Sequence, residues 1–390
     1  MHMEERVGLI LTGGGARAAY QVGVLKAIAE LLPRRAHNPF PVICGTSAGA
    51  LNAATIAVNA QNFRKGVGYL NNIWKNFHAN QIYRTDVVGV FNNTMLWLAG
   101  MILSGLGINK LKQISLLDNS PLAELLDEIL PCDKIQPHID AGRLRALSIT
   151  ASGYGSGQSV TFYQGVDEIA PWRRTRRIGV PTRIDNRHLL ASSAIPFIFP
   201  ATLINREYFG DGSMRQIAPI SSALHLGATR ILVVGSTNDG LEQGRHPDGS
   251  EYPSLAQIAG HALNSIFLDS MEVDLERVQT VNRLVSMMPE DMRQRTGLKH
   301  VEMLVISPSE SIDKIAASHA HDLPWTIRML LRLAGAGKQS GNATLVSFLL
   351  SEKKYCSALI DLGYRDAMQR RDEIARFFEV RAHRDEGMPQ

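Results

Sequence analysis

Three cysteines are all that this chain has, at Cys44, Cys132 and Cys356. Widely spaced and odd in number, they suggest neither a disulfide framework nor a zinc site, and no metal is expected. An excess of one charge is lacking too. The formal net charge is +4 over 390 residues, too modest to argue for a nucleic-acid partner. No secretory leader stands out, because Met1–Arg6 is polar and charged and the apolar run behind it is too short; cytoplasmic placement is the default expectation. There is no internal repeat. Between Val87 and Asn109 there is no charged residue, yet the densest apolar part, Met95–Leu103, is too short for a membrane span. What is present is a hydrophobic content of 45%, enough for a sizeable core, in a chain longer than one typical domain. One large α/β core with an appendage is the natural expectation.

The glycines carry the most information. Gly45-Thr46-Ser47-Ala48-Gly49 follows a short apolar run, Phe40–Cys44, and leads into a small-residue helix, Ala50–Ala60. In a G-x-S-x-G sequence between strand and helix the serine occupies a sharp turn. Gly45 and Gly49 then let strand and helix approach with no clashing Cβ. The Ser47 hydroxyl projects beside the first N–H groups of the helix, which favour the negative charge that acyl transfer develops. An ordinary N-cap serine after a glycine turn reads the same way, so context has to decide.

Part of that context lies upstream. Arg6–Leu11 reads as a buried strand running into Thr12-Gly13-Gly14-Gly15-Ala16-Arg17-Ala18. A helix follows, with Val22, Leu25, Ile28, Ala29 and Leu32 on one face and Pro33 closing it. Three consecutive glycines leave their backbone N–H groups unobstructed, and the helix dipole adds to them: this is an anion site. It can hold a phosphate or the oxyanion of a tetrahedral intermediate. The phosphate version would make the chain a dinucleotide-binding oxidoreductase, since Gly13, Gly15 and Ala18 fit G-x-G-x-x-G/A. That fingerprint needs an acidic residue about 20 residues on, at the end of the next strand. Here the strand ends Ile43-Cys44-Gly45, and Glu30 lies earlier, inside the helix. The missing carboxylate disfavours the nucleotide.

Far downstream, Leu203–Phe209 reads as a strand and Gly210-Asp211-Gly212-Ser213 as a tight turn after it. Aspartate in such a turn commonly bonds its local backbone. It can also orient and deprotonate a serine directly, with no histidine between them. Of the twelve histidines, His225, His261, His300, His319 and His321 follow Asp211 in the order an α/β-hydrolase triad needs, but none sits in a recognisable loop.

Gly-Gly-Gly-x-Arg, then G-x-S-x-G about 30 residues later, then Asp-Gly, together resemble the patatin-like phospholipases. The segments Ala191–Pro200, Ala218–Ile220 and Leu226–Ala228 and the strand Arg230–Val234 are similar to the family's runs on either side of the aspartate. The resemblance covers roughly residues 5–310. It implies an α/β fold, a three-layer α/β/α sandwich with a mostly parallel central sheet, and a serine lipid acyl hydrolase that needs no metal or cofactor. Ser47 would be the nucleophile and Asp211 its base. Backbone N–H groups of Gly13, Gly14, Gly15 and Ala16, with that of Ala48, would form the oxyanion hole, and Arg17 would brace the loop by hydrogen bonding carbonyls. Three positions depart from the family pattern: Ala18 stands for glycine, Ser213 follows Asp211-Gly212, and Gln216-Ile217 replaces a segment that often carries asparagine. A lipid-binding or scaffolding protein on the same fold, with little turnover, is the alternative.

For a lipid ester substrate other features gain meaning. Val87–Asn109 reads as a core helix or as a lid or acyl-chain channel, with Lys110 and Lys112 at headgroup level. The run Trp172-Arg173-Arg174-Thr175-Arg176-Arg177, continued by Arg183 and Arg187, suits phosphate headgroups or peripheral contact with an anionic membrane, and its position before Ala191–Pro200 suggests that it lies near the site. Residues 311–390 read as a helical C-terminal extension. Its helices are expected at Trp325–Leu333, Ala343–Leu350, Tyr355–Leu362 and Met368–His383, interrupted by Gly335-Ala336-Gly337, and would pack on the core or mediate a homodimer. Gly240–Ser254 reads as a polar loop.

Overall fold

The computed structural model of the chain describes residues 6–34, 37–87, 89, 91–96, 115–216, 218–236, 254–267, 269–296, 298–333 and 343–378. Lys110, Lys112, Ile217 and Gly335-Ala336-Gly337 lie outside the described residues, as do most of Met95–Leu103, almost all of 240–254 and the end of Met368–His383.

Ten strands among the described residues form one sheet: β1 (Val7–Leu11), β2 (Val42–Thr46), β3 (Ala146–Gly153), β4 (Ser159–Gly165), β5 (Trp172–Arg174), β6 (Arg177–Pro181), β7 (Thr202–Ile204), β8 (Glu207–Asp211), β9 (Arg230–Val234) and β10 (Glu302–Ile306). Their spatial order is β10-β9-β1-β2-β3-β4-β6-β5, with β8 beside the end of β3 and β7 beside β8. From β10 to β3 every pair is parallel; β4 then runs antiparallel to β3. The parallel strands are covered on both faces, which is why β1 reads as an unbroken apolar run rather than an alternation. Leu9 and Leu11 point into one helical layer and Ile10 into the other, and all are buried. Each such side chain contributes about 1.5–3 kcal/mol.

The larger layer contains α1 (Ala19–Leu31), α2 (Ala48–Val58), α3 (Phe63–Lys75), α4 (Ser120–Ile129) and α5 (Asn186–Ser192). The opposite layer contains α6 (Pro219–His225) and α8 (Asp269–Met287), with α7 (Leu255–Phe267) between them in sequence. This is a three-layer α/β/α sandwich with a mostly parallel sheet. Beyond residue 310 come α9 (Ile312–His319), α10 (Trp325–Leu333), α11 (Ala343–Leu349), α12 (Lys353–Gln369) and α13 (Arg371–Phe377). These helices do not build a core of their own: Ile312, Phe348, Leu359 and Phe377 join the same buried cluster as Leu9, Leu25 and Ile43. The expected apolar stripe on α1 is buried, but Gly23 and Ala27 on its other side are buried too, because α12 crosses there. A Cβ on Gly23 would run into the Ile360 carbonyl, and one on Gly363 into that of Tyr20.

One sequence expectation is corrected. Leu203–Phe209 is not a single strand but the hairpin β7–β8, reversing at Asn205-Arg206 with φ of 45° and 72°. Positive φ at both central residues is what a two-residue hairpin loop of type I′ requires. Asn-Arg conceals such a turn where Asn-Gly would announce it.

Candidate active site

Ser47 lies where β2 runs out and β3 continues. Thr46 pairs with Thr150 at the end of β2, and β8 then takes over the same edge of β3, with Asp211 opposite Ala151. Two strands meeting end to end along a shared neighbour thus bring together side chains 164 residues apart. Ser47 Oγ donates a 2.6 Å hydrogen bond to Asp211 Oδ2. Asp211 Oδ1 accepts from the Ser213 N–H at 2.9 Å. No histidine intervenes: His225 stacks on Trp172 in the opposite layer, and His319 faces Asp322.

The serine backbone has φ 55° and ψ −132°, a conformation that costs a non-glycine residue about 1–3 kcal/mol. Its surroundings hold it there. The Ser47 N–H donates to Ser192 Oγ at 2.8 Å, and that hydroxyl donates to the Thr150 carbonyl at 2.6 Å. A Cβ on Gly45 would crowd α2, and one on Gly49 would strike the Leu11 carbonyl, so the turn closes only with glycine on both sides.

Ser47 and Asp211 are 1% and 0% exposed. Burial pushes the Asp211 carboxyl up to about 7 from the usual 3.8, although hydrogen bonds from Ser47 and Ser213 pull the other way. Near neutral pH it is therefore poised to take up or release a proton.

Beside this pair the glycine loop turns at Gly14 (φ 151°) and Gly15 (φ 54°) into a short 3₁₀ turn, Gly15–Ala18. The first N–H groups of such a turn, and of α2, have no partner within their own helix. Gly15, Ala16 and Ala48 line one cavity together with Ser47. Next to them Ser236 Oγ donates to the Gly13 carbonyl at 2.6 Å, and Gly14 packs on the same serine. Ala18 has φ −64° and ψ −11°, an ordinary helical conformation, so alanine there imposes no backbone strain.

The cavity is about 50 Å³, with mainly apolar walls that include Leu51, Trp74, Tyr83, Phe199 and Phe348. Ser193, also on its wall, is 8% exposed, and its hydroxyl has no hydrogen-bond partner among the described residues. Ser192 and Ser193 fall inside the Ala191–Pro200 segment, so a signal for them existed. Nothing in the sequence announced Phe348, whose carbonyl abuts Gly15 from the C-terminal helices.

Arg17 bonds side chains of other elements, Asn264 Oδ1 at 3.4 Å among them, rather than the backbone carbonyls expected of it. Its guanidinium donates to Ser347 Oγ at 2.8 Å and Asp313 Oδ1 at 2.7 Å, and lies 4.1 Å from the Phe348 ring centroid. The glycine loop is thereby tied to α9 and α11. The arginine-rich run is the β5–β6 hairpin. Its tip is at the same end of the sheet as Ser47 but three to four strands away, about 14–19 Å across, and Arg174 and Arg177 lie near His225, on the face opposite the cavity. It does not adjoin the site.

Over 75 residues the chain is 41% identical to lysophospholipase nte1 of Aspergillus terreus, and to the protein of the same name from Aspergillus niger. Each match covers 18% of this chain and 5% of the relative, so the chain spans a small part of those proteins' length. The solved structure of VipD from Legionella pneumophila is similar over 95% of this chain and 67% of that one, with 13% identity and a TM-score of 0.39. The sequence profile of the patatin-like phospholipases matches residues 9–224, from β1 through the serine turn and Asp211 into α6. The chain belongs to the patatin-like phospholipase family.

Proposed function

We propose that the protein hydrolyses acyl esters of lipids, with Ser47 as nucleophile and Asp211 as its base. The observation that carries this reading is the 2.6 Å hydrogen bond between them at the head of α2. The Asp211 carboxylate takes the Ser47 proton as Oγ bonds to the ester carbonyl carbon. The carbonyl oxygen becomes an oxyanion facing the N–H groups of Gly15, Ala16 and Ala48. Collapse breaks the ester bond, and the departing alcohol takes the proton from Asp211. Asp211 then takes a proton from a water whose oxygen bonds to the acyl carbon. As that intermediate collapses, the Ser47 Oγ–carbon bond breaks, Oγ recovers the proton from Asp211 and the fatty acid is released. Ser193, beside Ser47 and with no hydrogen-bond partner for its hydroxyl among the described residues, is placed to hydrogen-bond an ester oxygen.

The substrate is proposed to come from a membrane surface. Among the described residues no helix is long and apolar enough to cross a bilayer. Trp325, Met329 and Leu333 nonetheless stand exposed at successive turns of α10, and Val87, Phe91, Met95 and Leu96 are exposed as well. A cytoplasmic protein that touches the bilayer peripherally accounts for both.

Hydrolysis of p-nitrophenyl butyrate and of a lysophospholipid by wild type and Ser47→Ala tests the chemistry. Loss of at least about a thousandfold in kcat/KM is expected in the variant. Equal, background-level rates in the two folded proteins would overturn the reading and leave lipid binding without turnover in its place.

A further inference from the structure

A second cavity, of about 20 Å³, lies beyond the first between α2, α3 and α4. The two share a wall of four side chains: Leu51, Trp74, Phe77 and Leu122. On its far side the second cavity meets Leu70, Leu126 and Leu130, all buried aliphatics. The two polar residues on its lining already have partners. Thr55 Oγ1 donates to the Leu51 carbonyl at 2.8 Å, and Asn52 is bonded to Trp74, Gln21 and Ala18. A space with satisfied polar groups and aliphatic walls stays dry and suits hydrocarbon.

Neither space holds a long chain as it stands, so a substrate has to enlarge one of them. The walls differ in how they can yield. Phe348 presses its backbone carbonyl against Gly15, and Tyr83 donates to the Leu349 carbonyl at 3.0 Å, so that side is fixed through backbone. The shared wall consists of side chains, and one of them is anchored. Trp74 Nε1 donates to Asn52 Oδ1 at 2.8 Å, Asn52 Nδ2 donates to Gln21 Oε1 at 2.9 Å, and Gln21 Nε2 donates to the Thr12 carbonyl at 2.8 Å. The indole is therefore held in register with the strand end that leads into the glycine loop. Leu51, Phe77 and Leu122 carry no such tie.

Resting on the hydrolase reading above, we infer that the second cavity receives the distal methylenes of the acyl chain and that Trp74 is the fixed partition setting the chain length accepted. The carbonyl end lies at Ser47, the chain passes Leu51, Phe77 and Leu122, and its terminus reaches toward Ile129, a half-buried residue at the far end.

The test is the ratio of kcat/KM for p-nitrophenyl laurate to that for p-nitrophenyl butyrate, which cancels differences in the folded fraction. Trp74→Ala joins the two cavities and is expected to raise the ratio by about tenfold or more, and Ile129→Phe, which fills the far end, to lower it by a similar factor. Ratios within about twofold of wild type in both variants, with butyrate still turned over, would overturn the distal site and leave the hydrolase intact. Should Trp74→Ala show no cooperative thermal transition, Ile129→Phe decides alone by the same criterion. Absence of Ser47-dependent turnover in wild type would instead remove the hydrolase reading, and this inference with it.

Discussion

A carboxyl buried among neutral donors keeps its proton to higher pH than one in water, and at Asp211 this single displacement governs both chemistry and stability. As the proposed base it must be ionised, so kcat/KM should rise with pH and level off above a midpoint near 7, where its pKa lies. The effect on folding has the opposite sense. Unfolded chains release this proton near 3.8 while the folded protein holds it to about 7, so across that window the native state binds more protons and stability falls as pH rises. Asp211→Asn can still accept hydrogen bonds but never ionises. It should lose at least about a thousandfold in turnover yet melt higher than wild type at pH 8, with the difference shrinking at pH 5. Thermal melts at both pH values decide this; an Asp211→Asn protein that melts lower at pH 8 would contradict it.

Between elements, glycine marks where backbones touch, and the same residue type has opposite consequences in two helices. On α12, Gly363 lies against the Tyr20 carbonyl of α1. Alanine there gains up to about 1 kcal/mol of helix propensity but overpacks a contact with little room, at a cost of about 1–3 kcal/mol, so Gly363→Ala should destabilise. Gly68, exposed on α3 with nothing near its would-be Cβ, should instead stabilise by about 0.5–1 kcal/mol on replacement by alanine. Urea unfolding of the two variants reads both signs. The local elements were legible in the sequence for the same reason: the apolar run of β1, the glycine loop and the serine turn each declare themselves within a dozen residues. Asp211 was visible as a turn aspartate, but its meeting with Ser47 depends on β8 succeeding β2 along β3, a non-local fact with no local signature. The β7–β8 reversal was hidden by Asn205-Arg206. Arg17 was expected to bond carbonyls of its own loop, while the partners it has, Asp313 and Ser347, lie some 300 residues away in helices whose pattern says nothing of a glycine loop.

For the molecule as a whole, two stretches of exposed apolar residues, one within 87–96 and one on the outer face of α10, come close together. Thr326 Oγ1 donates to the Thr85 carbonyl at 2.9 Å, which ties the start of α10 beside the stretch holding Val87 and Phe91. Tryptophan and leucine facing outward on a helix suit the boundary between headgroups and acyl chains. Trp325→Ser combined with Leu333→Ser should reduce co-sedimentation with phosphatidylcholine–phosphatidylserine vesicles by about threefold or more, while hydrolysis of dissolved p-nitrophenyl butyrate persists. Undiminished vesicle binding would place the membrane contact elsewhere. The Arg17 brace has a different consequence, one of timing. Synthesis delivers the glycine loop and the serine first, Asp211 164 residues after Ser47, and the carboxylate that grips Arg17 296 residues after that arginine. Until Asp313 and Ser347 have been made, the guanidinium has no carboxylate and the loop has no cover. A nascent chain thus carries these groups unassembled, and the proposed site is complete only once α9 and α11 have been made.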